Sequence, residues 1–186
     1  MNYKSTLAVS SALATVLAMA PAVANEPAFD FISAHYQETR VSQADLDGYE
    51  LNLSTSITED YFFRLSHSNQ SANQFDFDLT KLGFGYKHYV QLDTVAYGGA
   101  GLVRSRSKFN SLSNSDSGFN VFIGARHKMS HNLELGIEAE YIDVGDDDDF
   151  VIHLQGRYWV APNFSLVGGY AFANDDRWSF GVAFHF

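Results

Sequence analysis

Apolar and polar residues alternate along much of this chain with a period of two. Near the C-terminus, Trp178, Phe180, Val182, Phe184 and Phe186 occupy every second position, and small or polar residues stand between them. Successive side chains of a β-strand point to opposite faces, so this pattern predicts a strand with one continuous apolar face. The chain therefore ends on an amphipathic, aromatic strand.

The same alternation recurs in nine earlier segments, and no segment has a convincing helical period. Pro21 and Pro27 precede the first segment and Pro162 lies in a turn, so no proline interrupts a predicted strand. The sequence thus predicts an all-β protein of about ten antiparallel strands, with eight as the alternative. The predicted strands are about Phe29–Arg40, Tyr49–Ile57, Tyr61–Asn69, Phe75–Tyr89, Thr94–Lys108, Phe119–Met129, Leu133–Val144, Phe150–Val160, Phe164–Ala173 and Trp178–Phe186.

The linkers between these strands alternate in character. Four are short turns, and the others are more polar and mostly longer. Outer-membrane barrels have short periplasmic turns and longer outside loops, so this asymmetry favours an up-and-down transmembrane barrel with both termini in the periplasm. The short turns are Thr58–Asp60, Val90–Asp93, Ser130–Asn132 and Ala161–Asn163, and the predicted outer loops are Val41–Gly48, Gln70–Gln74, Asn110–Gly118, Gly145–Asp149 and Asn174–Asp176.

Alternation alone does not say which face points inward. A soluble sandwich or lipocalin-like barrel would bury the aromatic face, whereas a membrane barrel turns it toward lipid. Aromatic residues beside the short turns favour the membrane barrel, since such rings form interfacial girdles; they are Tyr61, Phe62, Tyr89, Tyr158, Trp159 and Phe164. Glycines on the polar face would make room in a narrow lumen; they are Gly83, Gly85, Gly98, Gly136, Gly169 and Gly181.

The N-terminus has the pattern of a secretory signal peptide. Lys4 precedes a short apolar run, and Ala22-Val23-Ala24 resembles a cleavage site. The apolar core of about 14 residues is shorter than the roughly 20 that span a bilayer as a helix. We therefore expect residues 1–24 to be a signal peptide and residues 25–186 to form one barrel domain.

Composition narrows the function further. The chain has no cysteine, which excludes disulfides and thiol chemistry, and its net charge of −10 argues against a nucleic-acid partner. No cofactor motif is present.

Taken together, the cleavage box, the alternating hairpins, Gly83-Phe84-Gly85-Tyr86 and the strand Trp178–Phe186 resemble small outer-membrane β-barrels of the OmpA-like and OmpX-like kind. The resemblance covers essentially the whole mature chain and is specific for fold rather than activity. It implies that the barrel-assembly machinery reads Phe180, Val182, Phe184 and Phe186. The best-known members have eight strands, and this chain departs from them with ten.

The predicted lumen carries charges of both signs. Buried charges must be paired or hydrated, so we interpret them as an ion-pair network that fills a narrow barrel; a narrow pore tuned by the same residues is the alternative. The network comprises Glu50, Arg64, Lys81, Arg104, Arg126, Glu134, Glu138, Glu140 and Arg157.

Arg104, Arg106 and Lys108 occupy alternate positions near the outer end of the fifth strand, so all three face the same side. An outward row could bind lipopolysaccharide phosphates, and an inward row would pair with acids of the lumen. We favour the inward arrangement.

Other candidate sites are weaker. The consecutive residues Asp146, Asp147, Asp148 and Asp149 could hold Ca²⁺, but no Gly-turn ligand loop follows, and a solvated acidic loop is the simpler interpretation. His67 between Ser66 and Ser68 suggests a lipid hydrolase, and Asp175 and Asp176 with a histidine suggest an outer-membrane protease. Neither set has a third element at a recognisable spacing.

We therefore predict an outer-membrane protein without catalytic activity, with a structural or surface-interaction role. Outer-membrane lipid and lipopolysaccharide are its expected partners, and a monomer is expected. A narrow ion or small-solute pore is the first alternative, and a soluble periplasmic ligand-binding barrel is the second.

Overall fold

Ten β-strands account for nearly all of the chain that the structure describes. The computed structural model describes residues 26–41, 44–72, 75–109 and 112–186, so the predicted signal peptide lies outside the described residues. Each strand is antiparallel to its neighbours. The strands are β1 Phe31–Val41, β2 Ala44–Ser56, β3 Tyr61–Ala72, β4 Phe75–Gln91, β5 Thr94–Phe109, β6 Leu112–Ser130, β7 Leu133–Val144, β8 Asp147–Ala161, β9 Phe164–Phe172 and β10 Arg177–His185.

The sheet closes on itself because β1 pairs with both β2 and β10. Phe31 is paired with Ser54 of β2 on one side and with His185 of β10 on the other. Every strand thus has two neighbours, and the backbone donors and acceptors of the sheet are paired without a free edge. The predicted closed, ten-stranded, up-and-down barrel is confirmed. Within the described residues, no helix is long and apolar enough to cross a membrane.

Burial alternates along the strands and identifies the two faces of the barrel wall. In β1, for example, Phe31, Ser33 and His35 are buried in the lumen, whereas Ile32 and Tyr36 are exposed on the outside. The outer surface carries large apolar side chains on every strand. Leu102 is 67% exposed and Ile123 is 68% exposed. If the barrel were a soluble protein with its apolar face in the core, these side chains would be buried.

The two ends of the barrel differ in what they carry. We call the end with the N-terminal segment, Phe186 and the four short turns the terminal end, and the opposite end the far end. The predicted long loops at the far end are wrong, because β2, β6 and β8 continue through most of them, starting at Ala44, Leu112 and Asp147. Their polar composition resembles that of loops, but beyond an apolar band the strands can stay paired while their side chains are solvated.

Half of the aromatic residues beside the short turns face the lumen. Phe62 is buried, and Tyr89 and Trp159 also occupy inward positions of their strands. Tyr61, Tyr158 and Phe164 are exposed on the outer surface, as a girdle requires. The predicted girdle is therefore only partly correct, because three of the rings fill the interior.

Candidate functional site

An ionic cluster crosses the lumen and joins β3 and β4 to β7. Arg64 Nη1 donates to both oxygens of the Glu138 carboxylate, at 2.8 and 2.9 Å. Lys81 Nζ donates to Glu140 Oε2 at 2.7 Å, and Arg64 Nη2 lies 3.4 Å from Glu140 Oε1. Glu140 is only 1% exposed, so two cations rather than water compensate its charge.

Two further groups complete the surroundings of Glu140. Asn120 Nδ2 donates to Oε1, and His153 Nε2 lies 3.3 Å from Oε2. Glu138, Glu140 and His153 are close enough together to hold a metal ion. Arg64 and Lys81 already occupy both carboxylates, however, and a dication would have to displace them. The donor set therefore fits an ion-pair network better than a metal site.

A layer of aromatic side chains packs directly against this cluster. Phe62, Tyr97 and Phe122 are buried in the lumen together with Val95. Tyr97 Oη donates to Glu138 Oε2 at 2.9 Å, and the Arg64 guanidinium carbon lies 3.4 Å from the centre of the Phe122 ring. Cation–π contact and hydrogen bonding thus tie the aromatic layer to the ionic cluster.

Inward-facing glycines make room for these rings. A Cβ atom at Gly85 would lie 2.5 Å from the Phe62 ring, and one at Gly99 would lie 2.5 Å from the Phe122 ring. Such contacts are well inside van der Waals distance, so a larger residue at Gly85 would displace the Phe62 ring, and one at Gly99 would clash with both the Phe122 ring and the backbone oxygen of Phe84. Glycine on the lumen face is therefore needed for the aromatic layer to cross a barrel of this width.

The segment before β1 enters the lumen from the terminal end. Phe29 is 2% exposed and packs against Phe62 and Tyr97, with ring centres 4.9 and 5.5 Å apart. Ala28 N donates to Glu134 Oε2 at 3.0 Å, and Ala28 O accepts a hydrogen bond from Arg126 Nη1 at 2.6 Å. The segment thus extends the aromatic layer and is fixed by lumen charges.

These groups occupy the lumen between two cavities. A cavity of about 410 Å³ opens at the terminal end and is lined by Phe29, among others, and a second of about 160 Å³ lies against Phe62, Tyr97 and the ionic cluster. The two cavities share no lining residue, and the aromatic layer lies between them.

Eight of the nine residues predicted for the lumen network occupy inward positions. Seven of them form two groups. Arg64, Lys81, Glu138 and Glu140 make up the ionic cluster, and nearer the terminal end Arg157 Nη1 lies 3.4 Å from Glu134 Oε1, close to Arg126. Glu50 lies in the lumen but makes no ion pair with any described residue. Sequence analysis missed Phe29, Phe122 and Tyr97 as lumen residues, although their positions within the alternation place them on that face.

The inward placement of Arg104 is wrong. Arg104, Arg106 and Lys108 are exposed and lie on the outer face, because the buried residues of β5 are Val95, Tyr97 and Val103. The inward face of β5 is apolar and glycine-rich rather than polar, which disguised the orientation of the strand. The sequence did contain a signal for this orientation. Val95, Tyr97 and Val103 all occupy odd-numbered positions, so an inward odd-numbered face places Leu102 and Arg104 together on the outside.

The serines and the histidine that suggested a lipid hydrolase are separated by the strand geometry. His67 points outward, where Nδ1 lies 3.0 Å from Thr80 Oγ1, whereas Ser66 and Ser68 occupy inward positions of β3. Buried Ser165 and His185 do meet, with Oγ and Nε2 2.9 Å apart. Among the described residues no carboxylate bonds to either partner of that pair, so it lacks the third group of a catalytic triad.

The four consecutive aspartates do not converge on a point. Asp147 and Asp149 alternate with Asp148 along β8, so their side chains point to opposite faces. The group of side chains close enough for a metal in the described residues is elsewhere, in the ionic cluster. Asp149 instead accepts a hydrogen bond from Asn174 Nδ2 at 3.2 Å.

The residues of the predicted assembly signal line the closing seam. Phe180 and Phe184 face outward on β10, where they pair with Tyr36 and Ile32 of β1, and Val182 lies between them. Phe186 follows the strand, and its backbone nitrogen lies 3.4 Å from Asp30 O. Their recognition during assembly stays a prediction.

Solved structures of outer-membrane barrels have the same fold as this chain. The KdgM porin is 13% identical over 84% of this chain and 99% of its own, with a TM-score of 0.50. The translocator domain of the autotransporter NalP from Neisseria meningitidis is 11% identical over 98% of both chains, also with a TM-score of 0.50. At this identity the likeness shows the fold alone. No protein-family model and no curated protein matches the sequence.

Proposed function

We propose that this chain, which has the fold of the small outer-membrane β-barrels, is an integral protein of the bacterial outer membrane with a closed lumen and a structural or surface-interaction role. The terminal end then lies in the periplasm and the far end at the cell surface, as the predicted signal peptide and short turns suggest. Recognition of Phe180, Val182, Phe184 and Phe186 by the assembly machinery belongs to the same proposal.

The outer surface supports membrane insertion. Leu82, Leu102 and Phe119 are directly paired across β4, β5 and β6, and their exposed side chains form one apolar level. From this level to Thr94 at the start of β5 the strand advances eight residues, which at about 3.4 Å per residue and a tilt near 40° spans about 21 Å. That height is close to the apolar band of about 25 Å on outer-membrane barrels.

A soluble periplasmic barrel is hard to reconcile with this surface. Soluble monomers rarely expose a contiguous apolar patch larger than a few hundred Å². Here exposed apolar residues continue around the wall, as at Phe84, Ile137, Phe150 and Phe180. In water this surface would drive aggregation, whereas in lipid it needs no partner.

The filling of the lumen by paired charges and aromatic rings is the observation that carries the proposed role. Arg64, Glu138 and Glu140 are satisfied by one another and by Lys81, and the aromatic layer with Phe29 lies beneath them. A lumen filled in this way supports a barrel without an open channel for solutes. We therefore assign the protein's contacts with other molecules to its outer surface and its far end.

A narrow, gated pore is the second candidate function. One observation favours it: Arg64 contacts both Glu138 and Glu140, so its guanidinium could exchange between carboxylates. Single-channel recording in planar bilayers separates the two functions. A closed lumen predicts no sustained conductance from the purified, refolded protein, and reproducible conductance steps would instead support the pore.

A further inference from the structure

The outer face of the far end carries one concentrated group of cations. Arg104, Arg106 and Lys108, which we call the cation row, occupy consecutive outward positions of β5. At about 3.4 Å per residue they stand roughly 7 Å apart. Among the described residues, Arg40 of β1 is the other lysine or arginine that faces outward, so the row is a local exception in a chain of net charge −10.

The height of the row on the wall indicates what it meets. Leu82, Leu102 and Phe119 mark the upper edge of the apolar band on three adjacent strands. The next outward level pairs Arg104 with Thr80 and Ser117. In an outer membrane, Arg104 therefore lies at the level of the lipid headgroups, and Arg106 and Lys108 lie beyond it.

The neighbouring strand adds hydroxyl groups on the same face. Ser113, Ser115 and Ser117 of β6 are exposed and pair with Lys108, Arg106 and Arg104. Arg104 Nε donates to Ser115 Oγ at 3.4 Å. Arginine, lysine and serine together are the donors that bind phosphate oxygens, and such charge-assisted hydrogen bonds are the stronger kind.

Two carboxylates on the neighbouring strand β4 reduce the net positive charge around the cation row but do not cancel it. Asp76 is paired with Lys108 and Asp78 with Arg106 across β4 and β5. Asp78 Oδ1 accepts a hydrogen bond from Asn69 Nδ2 at 2.8 Å, and neither aspartate forms a salt bridge with the row in the described parts of the chain. Arg106 and Lys108 thus keep donors available to a ligand.

We propose that the cation row and Ser113, Ser115 and Ser117 form a binding site for the phosphate groups of an outer-leaflet glycolipid headgroup. The site rests on the proposed membrane insertion, which brings such headgroups to the level of Arg104. Each cation near a membrane surface contributes on the order of 1 kcal/mol, about a fivefold change in affinity. Because the groups are exposed, the binding weakens with salt.

The affinity of the refolded protein for lipid A tests this site. The full mature chain is refolded into phosphatidylcholine nanodiscs, and a fluorescent diphosphorylated lipid A is titrated in at low and high salt. The triple variant Arg104→Gln/Arg106→Gln/Lys108→Gln should lose at least tenfold in affinity, whereas Asp76→Asn/Asp78→Asn should gain. Arg40→Gln, a matched outward cation away from the row, should change affinity less than Arg106→Gln does.

Two results would overturn the site: equal affinity of the wild type and the triple variant, or equal losses in Arg40→Gln and Arg106→Gln. A parallel titration with inositol hexakisphosphate, which is soluble, distinguishes a lipid headgroup from a free phosphate compound as the ligand. This compound should bind more weakly than lipid A, and binding of equal strength would contradict the headgroup assignment. Heat-dependent gel mobility of each variant reports insertion separately, so a folded, inserted triple variant that still binds lipid A defeats the site but leaves the proposed function standing.

Discussion

The Arg64 guanidinium of β3 donates two hydrogen bonds to the Glu138 carboxylate of β7, at 2.8 and 2.9 Å, across the lumen of the barrel. The same arginine lies on the Phe122 ring, and Glu138 also accepts a hydrogen bond from Tyr97. One pair of side chains thus joins the ionic cluster to the aromatic layer.

Removal of Arg64 should destabilise the barrel strongly. In Arg64→Ala, Glu138 and largely buried Glu140 lose a cation, and breaking a buried pair from one side costs about 3–5 kcal/mol. Urea unfolding in phosphatidylcholine vesicles, followed by tryptophan fluorescence, measures the change. The double variant Arg64→Ala/Glu138→Ala should be less destabilised than the sum of the single variants; strict additivity would mean that the two side chains do not interact.

Filling the space at Gly85 should disturb the aromatic layer. A Cβ atom there would lie 2.5 Å from the Phe62 ring, so Gly85→Ala forces the ring to move. Overpacking of this kind costs about 1–3 kcal/mol. A second change, Phe62→Leu, should relieve part of that cost in the same urea assay. Gly168→Ala is the matched control, because nothing lies within 4 Å of its added Cβ, and its stability should stay close to that of the wild type.

Loss of the Phe29 ring should loosen the N-terminal segment that enters the lumen from the terminal end. Phe29 is buried against Phe62 and Tyr97, so Phe29→Ala removes packing worth about 3–5 kcal/mol in a well-packed core. We expect faster proteolytic removal of the N-terminal segment and the appearance of conductance in planar bilayers. Leu92→Ala, at an exposed turn residue, should change neither property. An N-terminus equally protected in Phe29→Ala would show that the segment does not depend on this ring.

A charge placed on the apolar band should cost more than the same charge above it. Val121 is exposed on the outer face within the band, and Val121→Arg should destabilise the protein in vesicles by about 2–4 kcal/mol. Ser115→Arg, outward on the same strand but beyond the band, should cost close to nothing. Similar costs at the two positions would argue against a lipid-facing band at this height.

The period-two pattern was sufficient to predict the number of strands and the closed barrel, because each lipid-facing strand needs a continuous apolar face. It could not define the far end, where β6 continues back to Leu112 with polar side chains on both faces. It also failed for Arg104, since the inward face of β5 holds Val95, Tyr97 and Val103 rather than polar residues. Which lumen charges pair depends on side-chain positions across the barrel, and Arg64 and Glu138 are 74 residues apart.

The position of Phe29 shows a second limit of the pattern. Phe29 shares the parity of Phe31, and the alternation therefore predicts that it belongs to the first strand. In the structure, β1 begins at Phe31, and the preceding segment turns into the lumen. The other rings of its cluster, Phe62, Tyr97 and Phe122, come from three different strands. Periodicity describes one strand at a time, so it cannot reveal a cluster that forms only when the sheet closes.

Depth-dependent quenching by brominated lipid tests most directly which face of the wall meets the membrane. Three single-tryptophan proteins are compared in vesicles: Ile123→Trp and Ser115→Trp, each with Trp159→Phe and Trp178→Phe, and a third that keeps only inward-facing Trp159. Lipid-facing Ile123→Trp should be quenched strongly by acyl-chain bromines, and Ser115→Trp and Trp159 only weakly. Strong quenching of Trp159 with none at position 123, or no quenching in any of the three, would contradict a barrel whose apolar outer face contacts lipid.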